Sequence, residues 1–180
     1  MTAVRSPAPE AVKFTDDGSV PNNPTLPFVL YRSAIDLTGT PNPEDVIERV
    51  FRANGWRDIW RNGIYEYMHY HSMIHEAMGI ARGRAKVLFG GAQGREVDLY
   101  QGDVVVLPAG TGHQGLWVSP DLVVIGAYPA SGRYDLCRGS KVEYSKTVET
   151  IRLVPLPETD PAYGAEGPLL RLWRGRSTVI

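Results

Sequence analysis

From residue 59 onward the chain is assembled from short β-rich runs, "IYEYMHYH", "AKVLFGG", "EVDLY", "DVVVLPAG" and "LVVIGAYP", separated by glycine-containing turns. β-Branched and aromatic side chains suit a pleated, half-buried surface. Runs this short and this regularly spaced predict an all-β sandwich or barrel. At 180 residues the chain makes one domain. A domain of that size buries roughly 70% of the surface its unfolded form exposes, so it can close without disulfide or metal staples.

The flanks of this region differ from it. Residues 1–24 are rich in proline, asparagine and small polar side chains and predict a flexible N-terminal arm. "LPFVLYRSAI" (26–35), with a proline near its start, predicts an edge strand. In "NPEDVIERVFRANGW", Asn42 stands where an N-cap belongs, Pro43 fits the first helical position, Glu44 and Asp45 complement the helix dipole, and Gly55 can end the helix. Val46, Ile47, Val50 and Phe51 form one apolar stripe, so a short amphipathic helix over 43–54 should dock on a larger body. "RLVPLPETDPAYGAEGPLLRLW" is punctuated by proline and glycine and predicts an irregular tail. The expected organisation is an arm over 1–24, a barrel over 25–140 that includes the helix, and a C-terminal extension over 141–180 packed on the barrel or on a partner subunit.

Nineteen basic residues against twenty acidic ones, a net charge of −1 and a pI near 6.4 offer no footprint for a phosphate backbone or an anionic membrane surface. The sequence holds no apolar run of the roughly 18 residues that a membrane span needs. "MTAVRSPAPEAV" lacks the apolar core of a signal peptide, so a cytoplasmic location is expected. The single Cys137 can form neither an internal disulfide nor a thiolate metal site and is expected to be structural.

Three of the four histidines, His69, His71 and His75, stand within "MHYHSMIHE", and the fourth, His113, ends "PAGTGH". Alternation along a strand puts Tyr65, Tyr67, His69 and His71 on one face. From His71 to Glu76 the step is odd. A continuous strand would put His75 beside His71, whereas a turn or bulge at Ser72–Ile74 would bring the Glu76 carboxylate round instead.

Together these clusters read Gly63-x5-His69-x-His71-x4-Glu76-x6-Gly83 and Gly102-x5-Pro108-x-Gly110-x2-His113. Over residues 60–128 the chain thereby resembles the two-motif pattern of the cupin superfamily. "WRNGIYEYMHYHSMIHE", "PAGTGH", "GAYP" and the tail "DPAYGAEGPLLRLW" look more closely like the YjlB-like single-domain bacterial cupins. The resemblance implies a double-stranded β-helix, or jelly-roll barrel, holding one divalent transition metal through His69, His71, Glu76 and His113. Three imidazoles and a carboxylate suit Fe, Mn, Ni, Co or Zn, and a six-coordinate ion would keep two positions open. Glu76 is favoured over His75 as the fourth ligand, which leaves His75, with Tyr67, as a catalytic candidate. Tyr65, Met78 and Trp117 are expected to line the pocket. Trp117 stands four positions after His113, where similar cupins commonly carry asparagine.

The expected function is that of a mononuclear metal-dependent enzyme acting on a small molecule, of dioxygenase or isomerase type. The alternative is a non-catalytic, metal-stabilised protein that binds a small ligand. The apolar N-terminal run and the tail offer material for an isologous homodimer.

Overall fold

Nine strands and three helices form among the described residues, 8–175, of the computed structural model. In chain order they are β1 (Glu10–Val12), β2 (Phe28–Tyr31), α1 (Pro43–Ala53), β3 (Arg57–Asn62), β4 (Glu76–Arg82), β5 (Arg84–Phe89), β6 (Arg95–Tyr100), β7 (Val104–Leu107), β8 (His113–Val118), β9 (Val123–Tyr128), α2 (Lys141–Arg152) and α3 (Pro168–Arg174). One antiparallel sheet runs β1-β2-β7-β4-β9-β3 and a second runs β6-β5-β8.

Sequence pattern and layer position agree strand by strand. "FVLY" and "VVVL" are apolar throughout because the larger sheet is covered on both faces. Inward, Phe28, Leu30, Met78, Ile80, Val105 and Leu107 pack against Val87, Phe89, Val97 and Leu99 of the smaller sheet. Outward, Val29, Tyr31, Val104, Val106 and Ile125 pack against Ile47 and Phe51 of α1 and Leu169 and Trp173 of α3. The smaller sheet is wet on its outer side, so β6 alternates, with Val97 and Leu99 inside and Asp98 and Tyr100 outside. The turn from β4 to β5 is made at Gly83, whose φ of 70° lies in the left-handed region open to glycine.

Several expectations are corrected. β2 is not an edge, because β1, from within the expected flexible arm, pairs with it through Glu10↔Leu30 and takes the outer position. Further along that arm, Asn22 and Asn23 are buried and donate to the carbonyls of Gly90 and Ala109. The asparagines that read as disorder instead satisfy buried acceptors. α1 occupies its expected span with Pro43 in the first turn, but the Asn42 side chain makes no cap bond.

The C-terminal extension is irregular over 153–167 and helical on either side. α2 carries a capping box in which Ser140 accepts from the Glu143 N–H and Glu143 reaches back to the Ser140 N–H. α3 buries Leu169, Leu170 and Trp173, and Trp173 donates its Nε1–H to Pro27 O at 2.9 Å. Between them Asp160, fully buried, accepts from the Tyr31 hydroxyl and from the N–H groups of Ala162, Tyr163 and Leu169.

"IYEYMHYH" is not a regular strand. The backbone bends at Glu66–Tyr67 and then runs beside β8, with isolated bridges at His69↔His113 and Tyr70↔Cys137. β8 itself was not anticipated, because Gln114 and Gly115 interrupt its pattern.

Candidate metal centre

The turn that the odd step requires is present at Ser72–Met73, and Asp135 builds it. The Asp135 carboxylate accepts from the Ser72 N–H, the Ser72 hydroxyl and the Met73 N–H, while its carbonyl accepts from His71 Nδ1–H. β4 then starts at Glu76 with its carboxylate turned inward. His75 therefore faces the other way. Its ring packs on Trp173 at 4.7 Å between centroids, and its Nδ1 accepts from the Ala109 N–H at 2.9 Å. Burial lowers its pKa to about 4. Its place as a catalytic candidate is thus corrected: it anchors α3 from beneath the sheet and does not line the cavity.

His69, His71 and His113 bring three ring nitrogens within 4.8 Å of one another. All three Nδ1 atoms are held by backbone carbonyls, of Tyr67, Asp135 and Thr111. A carbonyl can only accept, so each Nδ1 carries a proton and each Nε2 lone pair is left for the centre. Glu76 Oε2 lies 3.3 Å from His71 Nε2 and 3.4 Å from His113 Nε2. Yet it makes no aligned hydrogen bond among the described residues and is fully shielded from solvent. Donor atoms that close but are not aimed at one another are converging on a common point. For comparison, ligand bonds of ~2.1 Å place neighbouring ligand atoms ~3.0 Å apart in an octahedron. The three imidazoles therefore fit a divalent cation, with Glu76 Oε2 beside two of them.

Electrostatics without a cation tells the same story. Burial, aided by His113, lowers the His69 pKa to about 3. For His71 burial opposes the charge, but neighbouring Glu76 outweighs it and holds the imidazole above its ordinary value. Burial likewise opposes the Glu76 carboxylate, and His71 and His113 outweigh it, keeping Glu76 below the usual carboxylate range. A buried anion thus stands ready for a positive partner.

The centre lies at the end of a cavity of about 570 Å³ walled by Trp60, Ile64, Tyr65, Met78, Tyr128 and Tyr134. Tyr65 and Tyr134 are about half exposed, so it opens to solvent. Tyr65 and Met78 stand where the sequence placed them. Tyr67 does not: its ring is stacked between Tyr65, at 4.8 Å, and the Arg138 guanidinium, at 3.6 Å, and is absent from the cavity wall. The bend at Glu66–Tyr67 breaks the alternation that would have turned it inward.

Trp117 is corrected too. β5 pairs with β8 through Val87↔Gly115 and then Lys86↔Trp117, so Leu116 is an extra residue and the following side chains change face. Trp117 ends half exposed on the outer surface, under Arg84 at 5.2 Å. Trp117→Asn should leave metal content and cavity ligands unaffected and cost only the cation–π contact, ~0.5–1 kcal/mol. Thermal melts and metal analysis of the variant check this, and a changed metal affinity would contradict the outward placement.

Tyr128, Tyr134 and Asp135 escaped sequence reasoning. Only "GAYP" marked Tyr128, and as a family likeness. Its hydroxyl donates to Glu76 Oε1 at 3.2 Å and accepts from Trp60 Nε1–H at 3.1 Å. Burial, then the Glu76 charge, push the Tyr128 pKa well above a normal phenol's, so it stays a donor.

Two sheets enclosing a cavity with three histidines and a glutamate at its end make this protein a cupin. No family model matches the chain. It is 40% identical over 160 residues to the uncharacterized protein YjlB of Bacillus subtilis, covering 89% of this chain and 93% of that one. The chain belongs to the YjlB-like cupins. Partial overlaps with solved structures include an acireductone dioxygenase from Bacillus anthracis with cadmium in its active centre (TM-score 0.38, 15% identity, 69% of this chain and 80% of that one). Another is a DUF861 family protein from Thermotoga maritima (TM-score 0.33, 23% identity, 48% and 90%). A third is an oxalate decarboxylase from Lactobacillus farciminis (TM-score 0.36, 22% identity, 54% and 33%). No helix of the described residues is long and apolar enough to cross a membrane.

Proposed function

We propose that this chain is a mononuclear metal-dependent enzyme acting on a small molecule, of dioxygenase or isomerase type, with His69, His71, Glu76 and His113 as the metal ligands. The observation that carries it is the convergence of three carbonyl-oriented imidazoles on an unpartnered, buried Glu76 Oε2 at the end of an open cavity. When bound, a divalent ion supplies Lewis-acid polarisation of a substrate oxygen or, if redox-active, electron exchange with dioxygen. The protein's own part is to orient and shield. Trp60, Ile64, Tyr65 and Met78 give the cavity an aromatic and apolar wall that suits a planar substrate portion, while Arg57, Asp58, Arg61 and Asn62 add polar groups to its lining. The Tyr128 hydroxyl keeps its proton beside Glu76.

The test is to load the metal-free protein anaerobically with Fe(II), Mn(II), Ni(II) or Zn(II). Panels of small diols, thiols, diketones and sugar phosphates are then added, and oxygen uptake and product mass are followed. Turnover that stops without oxygen marks a dioxygenase, and turnover indifferent to oxygen marks isomerase or lyase chemistry, an unchanged product mass identifying the isomerase. Ligand binding that raises thermal stability with no turnover under any metal would instead establish the binding-protein alternative. Within the same preparation, Glu76→Gln should reduce metal retention far more than His75→Ala, because an amide lacks the carboxylate's charge and His75 faces the core. The reverse order, read by metal analysis after gel filtration, would remove Glu76 from the ligand set.

A further inference from the structure

Glu76 has two oxygens, and the fold treats them differently. Oε2 points into the histidine cluster without a hydrogen bond, whereas Oε1 accepts from Tyr128. β4 pairs with β9 through Ala77↔Ala127, so Glu76 and Tyr128 are neighbours one step further along the ladder. The phenol is itself held, because Trp60 Nε1–H donates to its oxygen and leaves its own proton directed at Glu76.

Trp60 reaches that position for a reason legible in the register. It lies opposite Gly126 in the β3–β9 pairing, and its indole covers the bare backbone there. A Cβ at Gly126 would fall 1.8 Å from the Trp60 ring. Gly126 and Tyr128 share a face of β9, so the space left by one seats the ring that holds the other.

We infer that Tyr128, seated by Trp60 over Gly126, is a positioning residue that holds Glu76 one-armed, with Oε1 tied to the phenol and Oε2 alone free to ligate a metal. This rests on the metal reading proposed above. A free carboxylate can bind a cation with one oxygen or two. Restraining it to one keeps a coordination position for substrate that a two-armed carboxylate would fill. The chain Trp60→Tyr128→Glu76 therefore acts on the number of open positions and not on the identity of the ligands.

Co(II) is the probe, because its visible absorption reports coordination number independently of turnover. The full-length protein should take up about one Co(II) per chain. Tyr128→Phe should still do so, with affinity weakened ~10–100-fold, the range typical of disturbing a ligand's outer partner. Its Co(II) bands should lose intensity as Oε1 joins the metal. Trp60→Phe and Gly126→Ala, which leave Tyr128 in place, should shift the bands the same way by less. Because the three act in series, Trp60→Phe added to Tyr128→Phe should change nothing more. Trp117→Asn, on the outer surface, should match the unsubstituted protein.

A Tyr128→Phe spectrum and affinity identical to those of the unsubstituted protein would overturn the inference while leaving the metal site standing. An unsubstituted protein that takes up no Co(II) would overturn the metal reading itself. If Tyr128→Phe does not fold, as judged by circular dichroism, Gly126→Ala decides: unchanged bands there overturn the proposal.

Discussion

Replacing His71 and His113 together by alanine should abolish metal binding, the largest functional effect expected of any change in this chain. Each substitution removes a donor nitrogen outright, so the loss should exceed the ~10–100-fold that follows from disturbing an outer partner alone. The thermal stabilisation that added metal gives the unsubstituted protein, up to about 4 kcal/mol at a thousandfold excess over Kd, should vanish with it. The double variant also strips Glu76 of both neighbouring imidazoles, leaving Tyr128 as its near polar partner. A buried carboxylate in that position takes up a proton, and Glu76→Gln added to the pair should recover part of the lost stability. Acidification should mimic the effect in the unsubstituted protein: ligating imidazoles must be neutral, so metal is held at neutral pH and released as the pH falls. Elemental analysis across pH, with full occupancy in the double variant as the contrary result, decides the matter.

Asp160→Ala should be the most destabilising single change outside the centre. The carboxylate gathers four donors from the β2 tyrosine, its own loop and the start of α3. Its removal strands at least the buried Tyr31 hydroxyl and the Leu169 N–H, at ~1–3 kcal/mol each, and leaves a void, a total of roughly 3–5 kcal/mol. For a domain of this size that lowers Tm by roughly 10 °C. Asp160→Asn keeps one acceptor and should fall between. A melting temperature for Asp160→Ala within two or so degrees of the unsubstituted protein would mean that the loop around it contributes little.

Where local pattern decides structure, the sequence was legible. β5 and β6 bury alternate side chains, the apolar runs of β7 and β9 are strands buried on both faces, and the stripe of α1 buries Ile47 and Phe51. The spacing of His69, His71 and Glu76 was legible as well, because an odd step between inward residues demands a turn. What supplies that turn was not: Asp135 stands 63 residues from Ser72, and no local signal links them. Tyr128 lies 52 residues from Glu76 and meets it through strand pairing alone. Trp117 was misplaced because a bulge depends on both strands of a pair, and only one can be read at a time. α2 buries just Thr147 and Ile151, too thin a stripe to stand out, although its Ser140–Glu143 cap was there to be seen.

The burial of Trp173 against His75 has a consequence for how the molecule comes into being. α3 follows every described strand in chain order, yet its indole fills the outer core of the larger sheet and touches the residue next to Glu76. Domains generally fold as units during synthesis, N-terminal parts first. Here the nascent chain can pair its strands early but must wait for α3 before the outer face of the larger sheet is sealed. Until then the part of that face not covered by α1 is exposed to chaperones and to neighbouring nascent chains, and His75 lacks its indole partner. The indole that supports the strand start at Glu76 from outside the sheet is thus made almost a hundred residues after Glu76 itself, so the two ends of that contact meet only once the intervening chain has been threaded around the barrel.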